Sequence, residues 1–246
     1  MAIRPDGDSS DASAAASRHP HLATAAPPGI VRVDCHLHTM YSGDAVTTLD
    51  ELAEAIEAAD LDVVCITDHN AVAGAQAAIE RGLGCRVIVG EEIRTGAGEI
   101  IGLFLTERVP YGIDVHEAVA RVREQGGVTY VPHPFDPTRH ALKEPVLRGL
   151  CEAGDVDSVE AFNAKVGLAH LNDLAAALAA EFDLPRGAGS DAHDPSAVGA
   201  AYVEMPDFDG PAAFLRALHD ATVIGHRYDR PRDFVPRIIP RGLRPA

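Results

Sequence analysis

Five short stretches of this chain carry side chains that can bind a metal. They are His36 and His38 in VDCHLHTMYSGD, Asp68 and His69 in ITDHN, Glu91 and Glu92 in GEEIRT, His133 in PHPF, and Asp191 and His193 in GSDAH. Imidazole and carboxylate together suit borderline divalent ions such as Zn, Mn or Fe. His36 and His38 end an extended run, where residues two apart share a face. Strict alternation puts Arg32, Asp34, His36 and His38 on one side, and Val31, Val33, Cys35 and Leu37 on the other. Five such groups, each ending a strand-like run, point to one shared metal cluster.

The elements that must position them alternate in type. Strand-like runs cover residues 30–38, LDVVCITDH (61–69), CRVIVGEEI, EIIGLFL, GVTYVPH, VDSVEAF, PRGAGSDAH and AAYVEM. RTGAG between the third and fourth reads as a hairpin-like turn. Thr48 with Glu51 three residues on is a capping-box pattern ahead of LAEAIEAA. Further helices are expected in AVAGAQAAIERG, at residues 115–124, in LAHLNDLAAALAAEF and in PAAFLRALHD. Repeated β-α units imply a parallel sheet, and six or more favour a barrel whose strand C-termini converge on one mouth.

Composition narrows the partners. A formal net charge of −16 argues against a nucleic-acid groove built on bulk charge, and no run approaches a membrane span. Residues 1–29 lack a basic start and an apolar core, so they are expected to be a disordered tail and not a secretory signal. Residues 30–246 then form one catalytic domain. The four scattered cysteines fit a reducing, cytoplasmic compartment.

In chain order, HxHTxxSxD at 36–44, ITDHN at 66–70, GEEIRT at 90–95, PHPF at 132–135 and GSDAH at 189–193 resemble the motifs of the PHP (polymerase and histidinol phosphatase) family of metal-dependent phosphoesterases. The resemblance runs from about residue 31 to 205. It implies an α/β fold, a distorted (β/α)7 barrel, holding two or three divalent ions. By motif, His36, His38 and Asp191 hold one ion, Glu92 bridges it to a second completed by His133, and Asp44, His69 and His193 form a third site. Asp44 stands where histidine is common, and Glu160 and Asn163 stand where trinuclear members supply another histidine. Asp34 or Asp68 is expected to orient an imidazole. His116, His140, His170 and His219 lie outside the motifs and are expected at the surface or on helices, while His226 can return towards the mouth.

The implied reaction is hydrolysis of a phosphate ester by a metal-bridging hydroxide. Asp191 and His193 are the expected catalytic residues, His193 or a metal-bound water serving as leaving-group acid. Arg94, Arg139 and Lys165 are candidates for holding the substrate phosphate. The 30 positions from His133 to Asn163 leave no room for a lid domain. A phosphomonoester, nucleotide or sugar phosphate is therefore the expected substrate, and a polymer is not. The alternatives are a non-catalytic metal-binding module, or an amide or lactone hydrolase on a related barrel.

Overall fold

The computed structural model describes residues 19–23 and 26–228, so residues 1–18, 24–25 and 229–246 lie outside the described residues. The described strands are β1 (Ile30–Leu37), β2 (Val63–Ile66), β3 (Arg86–Arg94), β4 (Glu99–Leu103), β5 (Val128–Val131), β6 (Ser158–Asn163), β7 (Arg186–Gly189), β8 (Ala201–Pro206) and β9 (Thr222–Gly225). They form one sheet in the order β7-β6-β5-β4-β3-β2-β1-β8-β9. β1, β2 and β3 pair in parallel, as do β5, β6 and β7, while β4 runs antiparallel between β3 and β5. The RTGAG turn is thus the hairpin that reverses the chain.

The sheet closes on itself at one end only. Asp191 N donates to His36 O at 2.8 Å, and His38 N donates to Ala192 O at 2.9 Å. These bonds join the end of β1 to the residues just past β7. The first half of β1 instead pairs antiparallel with β8. The result is a nearly closed seven-stranded barrel, tight at the mouth and wedged open by β8 at the base.

The helices are α1 (Leu49–Ala58), α2 (Ala73–Arg81), α3 (Val115–Glu124), α4 (Glu144–Glu152), α5 (His170–Glu181) and α6 (Gly210–His219). α1 starts with the capping box, Glu51 N donating to Thr48 Oγ1 at 3.2 Å and Thr48 N to Glu51 Oε2 at 3.0 Å. α3 buries Val115, Ala118, Val119 and Val122, an i, i+3, i+4, i+7 stripe. The sequence pattern omitted α4 and β9. α4 has only nine residues, although Pro145 in its first turn marks a helix start.

Val33, Cys35, Val63, Cys65, Ile101 and Tyr130, drawn from β1, β2, β4 and β5, pack in one apolar cluster that fills the barrel. Phe214 of α6 plugs its base, with ring centroids 5.3 Å from Phe104 and 5.2 Å from Phe208. Of the segment expected as a tail, Pro20–Ala23 form a 3-10 turn, and the preceding His19 is buried with Nε2 3.1 Å from Ser196 O. No helix among the described residues is long and apolar enough to cross a membrane.

Candidate metal centre

The two histidines of β1 reach the mouth through an irregularity that alternation does not predict. The β1–β2 register shifts between Asp34 and Leu37. Val33 and Cys35 face the barrel interior, but Leu37 packs with Leu52, Ile56 and Val64 beneath the helices. The single apolar face expected for Val31 to Leu37 is therefore broken. Bulges commonly re-aim a side chain at a site in this way. Here the imidazoles of His36 and His38 end with their Nε2 atoms 3.0 Å apart.

On the floor of the mouth, metal-binding atoms converge. His36 Nδ1 lies 3.0 Å from Glu160 Oε1, which can only accept, so that nitrogen carries the proton and Nε2 presents a lone pair. His36 Nε2 lies 3.4 Å from Glu92 Oε2 and 3.8 Å from Asp191 Oδ1, and His38 Nε2 is 3.3 and 3.4 Å from the same oxygens. Ligands about 2.0–2.2 Å from one tetrahedral ion sit roughly 3.3–3.6 Å from each other. His133 Nε2 lies 2.8 Å from the other Glu92 oxygen, leaving Glu92 between two histidine groups. Four electron-rich atoms this close suit a bound cation, and imidazole with carboxylate is the donor set of a divalent ion. The residues fit the metal that the motifs imply.

Burial alone would lower the His36 imidazole, yet Glu160, Glu92 and Asp191 outweigh it and hold it well above its ordinary value. Burial opposes ionisation of Asp191, but Lys165, Arg139 and His36 carry it well below the carboxylate range. Groups of opposite charge thus hold one another in their charged forms on this floor.

The backbone here is held under strain. His133 and Asp191 are non-glycine residues with φ of 29° and 49°. Such conformations cost on the order of 1–3 kcal/mol and persist only when the surroundings over-determine them. Glu160 Oε2 accepts from His133 N at 2.6 Å and from Asn163 Nδ2 at 3.0 Å. Glu160 is therefore the carboxylate that orients an imidazole, a task expected of Asp34 or Asp68. Asp34 instead accepts from Ser190 Oγ at 2.5 Å across the barrel seam, and Asp68 accepts from Thr39 N at 2.6 Å. Glycine is required at 189, where a Cβ would lie 2.4 Å from His36 Cβ and 2.5 Å from Glu160 Oε1.

A second group lines the rim. Asp44 Oδ2 lies 3.1 Å from His193 Nε2 and 3.4 Å from His69 Nε2, and His69 Nδ1 lies 3.1 Å from Glu92 Oε2. Against the effect of burial, Asp44 and Glu92 lift His69 to about 9. Burial, then His38, push His193 down to about 4. His193 Nδ1 accepts from Lys165 Nζ at 2.6 Å.

Donor atoms of His69, Glu92 and Glu99 also lie within 4.8 Å of one another. Glu99 is the site residue that the motifs missed. Register across the β3–β4 hairpin pairs Glu92 with Ile101 and Arg94 with Glu99, which places Glu99 on the face of Glu92. Reading that register through the RTGAG turn would have found it. Glu91, as alternation requires, points the other way and accepts from Val109 N at 2.7 Å.

All eight expected ligands thus meet at one mouth. Arg139 Nη2 lies 3.1 Å and Lys165 Nζ 3.8 Å from Asp191. Arg94 is farther out, its Nη2 donating to His140 Nδ1 at 2.8 Å; His140 is exposed as expected, and it lines the cleft at the mouth. His226 is elsewhere, its ring 5.0 and 5.2 Å from those of His19 and His21.

Comparison with known proteins agrees with this arrangement. Residues 34–133 match the PHP domain model and residues 169–223 the PHP-associated model. An uncharacterised protein of Methanocaldococcus jannaschii is 36% identical over 197 residues, covering 76% of this chain and 79% of that one. A second from the same organism is 36% identical over 146 residues, 54% of this chain and 82% of that one. In fold, the chain resembles a two-domain Bacteroides vulgatus protein described as containing a predicted PHP-like metal-dependent phosphoesterase (TM-score 0.67, 18% identity, 80% of this chain). It spans 65% of that protein's length. PsfC from Pseudomonas syringae is similar at a TM-score of 0.63 and 20% identity, covering 80% of this chain and 92% of PsfC. With its motifs, its barrel and two relatives covered over most of their length, the chain belongs to the PHP family.

Proposed function

We propose that this protein is a metal-dependent phosphoesterase acting on small phosphate esters. One observation carries the reading: two cations, Arg139 and Lys165, lie against Asp191 within the cluster of metal-binding donors. A site built only to store a cation gains nothing from fixed positive charge beside it. A site that must also hold phosphoryl oxygens does.

His36, His38, Glu92, His133 and Asp191 would hold two ions, and Asp44, His69 and His193, with Glu99 beside them, a third. Zn, Mn and Fe are the ions that suit these ligands. Bound there, the ions supply an acidified water as nucleophile and a clamp for the phosphoryl oxygens. The chain's own part is positioning. The Arg139 guanidinium offers a planar fork to phosphate, and the Lys165 ammonium offers a point charge. Both oppose the charge that grows on the transferring group. Glu160 and Asn163 keep the floor from collapsing while charge is redistributed.

The short connection between β5 and β6, which supplies α4 and no further domain among the described residues, supports a small substrate. The test is an assay of protein loaded with Mn, Fe or Zn against phosphomonoesters, phosphodiesters and a lactone. Release of phosphate that chelation abolishes is expected. Stoichiometric metal binding with no ester cleaved would overturn the reading in favour of a binding module.

A further inference from the structure

One cleft of about 470 Å3 is lined at one end by Asp44, His69 and His133 and at the other by Arg94 and His140. That volume is in the range that accepts a whole small ligand and not only its reacting group. Arg139 and Lys165 lie against Asp191, at the metal end. Arg94 differs from them. It ends β3, is exposed, and has no carboxylate within 4.0 Å among the described residues. Its cross-strand neighbour Glu99 lines the same cleft, yet the guanidinium is turned to His140 and not to that carboxylate.

Its surroundings hold it in place. Arg94 N donates to Asn70 Oδ1 at 2.9 Å, and its carbonyl accepts from Gly112 N at 2.6 Å. The His140 carbonyl accepts from Glu99 N at 2.7 Å. Because Arg94 donates to His140 Nδ1, the His140 proton sits on Nε2, and the pair presents a guanidinium edge together with an imidazole N–H. Guanidinium forks bind phosphate and carboxylate oxygens in pairs.

We propose that Arg94 and His140 form a second anion subsite, so that the substrate is a phosphate ester bearing another phosphate or a carboxylate at its far end. This rests on the phosphoesterase reading, which puts the scissile phosphate at the metal end of the same cleft. The second anion lowers KM and fixes the length of the substrate.

The experiment measures kcat/KM of the metal-loaded protein for alkyl monophosphates of graded length ending in hydroxyl, carboxylate or phosphate. At one length the doubly anionic esters are expected to be favoured about tenfold or more, the worth of one charge-assisted contact. The carboxylate and phosphate series tell which anion is taken. Arg94→Met is expected to erase the preference, and Arg94→Lys to keep part of it. Equal kcat/KM across the series, or full preference in Arg94→Met, would overturn the subsite and leave the phosphoesterase standing. If no ester is cleaved, the phosphoesterase reading fails, and calorimetry with alkyl phosphonates and α,ω-bisphosphonates of matched length decides the subsite. Tighter bisphosphonate binding that Arg94→Met abolishes supports it, and equal binding overturns it.

Discussion

On the floor of the mouth, His36, His38, Glu92, His133 and Asp191 are each 3% exposed or less. On the rim, the side chains of Asp44 and His69 are 49% and 26% exposed. The residue types are the same, and what stands behind them is not. Glu160 grips both His36 and the backbone of His133, and Asn163 reaches Asp191 at 3.3 Å. Asp44 has Ser42 and sits on a loop between β1 and α1. A donor that is already held loses little freedom when it meets an ion, whereas a loop donor must be ordered. The floor should therefore bind its ions tightly and the rim more weakly.

The sharpest way to break this comparison is to remove a floor ligand. His36→Ala is expected to lower metal content by at least one ion and phosphatase activity by at least about 100-fold, beyond what an outer partner is worth. Elemental analysis after gel filtration, with the assay, checks both. Next comes Glu160→Gln, which touches no ion but replaces an acceptor of three hydrogen bonds by a group with one acceptor oxygen. Metal affinity should fall about 10–100-fold, read by competition with a chelator. Asp44→Asn should be milder, lowering the occupancy of one ion and changing activity by less than about tenfold. If Asp44→Asn proves as damaging as His36→Ala, floor and rim do not differ and the distinction fails.

How legible each region was follows from where its information lies. Floor ligands end strands, so motif and alternation together locate them, and alternation correctly separates Glu92 from Glu91. The bulge in β1 was not legible, because it arises from pairing with β2 and from closure against the residues after β7. Glu160 stood only where trinuclear relatives supply a histidine, with no role assigned to it. Its real partners, His36 and His133, are 124 and 27 positions away, and only the closed barrel brings them together. Glu99 was within reach of local reasoning, since the hairpin was recognised but its register not followed. His140 is at the surface as expected, but its place in the cleft was not legible, because it depends on a loop carbonyl tied to β4. Periodicity reports faces of elements, while partners across the barrel are a property of closure.

The smallest expected effect on the site concerns Glu91, which is next to a floor ligand and turned away from it. One of its oxygens holds Val109 N, and the other is buried with no hydrogen-bond partner. Burial raises its carboxyl from 4.5 to about 7, with Val109 N and Arg108 opposing. Between those two values the folded chain keeps a proton that the unfolded chain has released. Stability therefore falls as pH rises from about 4.5 to about 7, and levels off above. Glu91→Gln carries no such proton, yet its amide oxygen can still accept from Val109 N. The variant should match the wild type near pH 4 and gain on it steadily up to about pH 7. The full gain is on the order of 1–3 kcal/mol at pH 8, given 1.36 kcal/mol per pKa unit and the compensation the site allows. Thermal melts at a series of pH values measure this, and metal content should not change. Loss of metal in Glu91→Gln would mean that the strand presents the other glutamate to the mouth, and the floor would have to be redrawn around it.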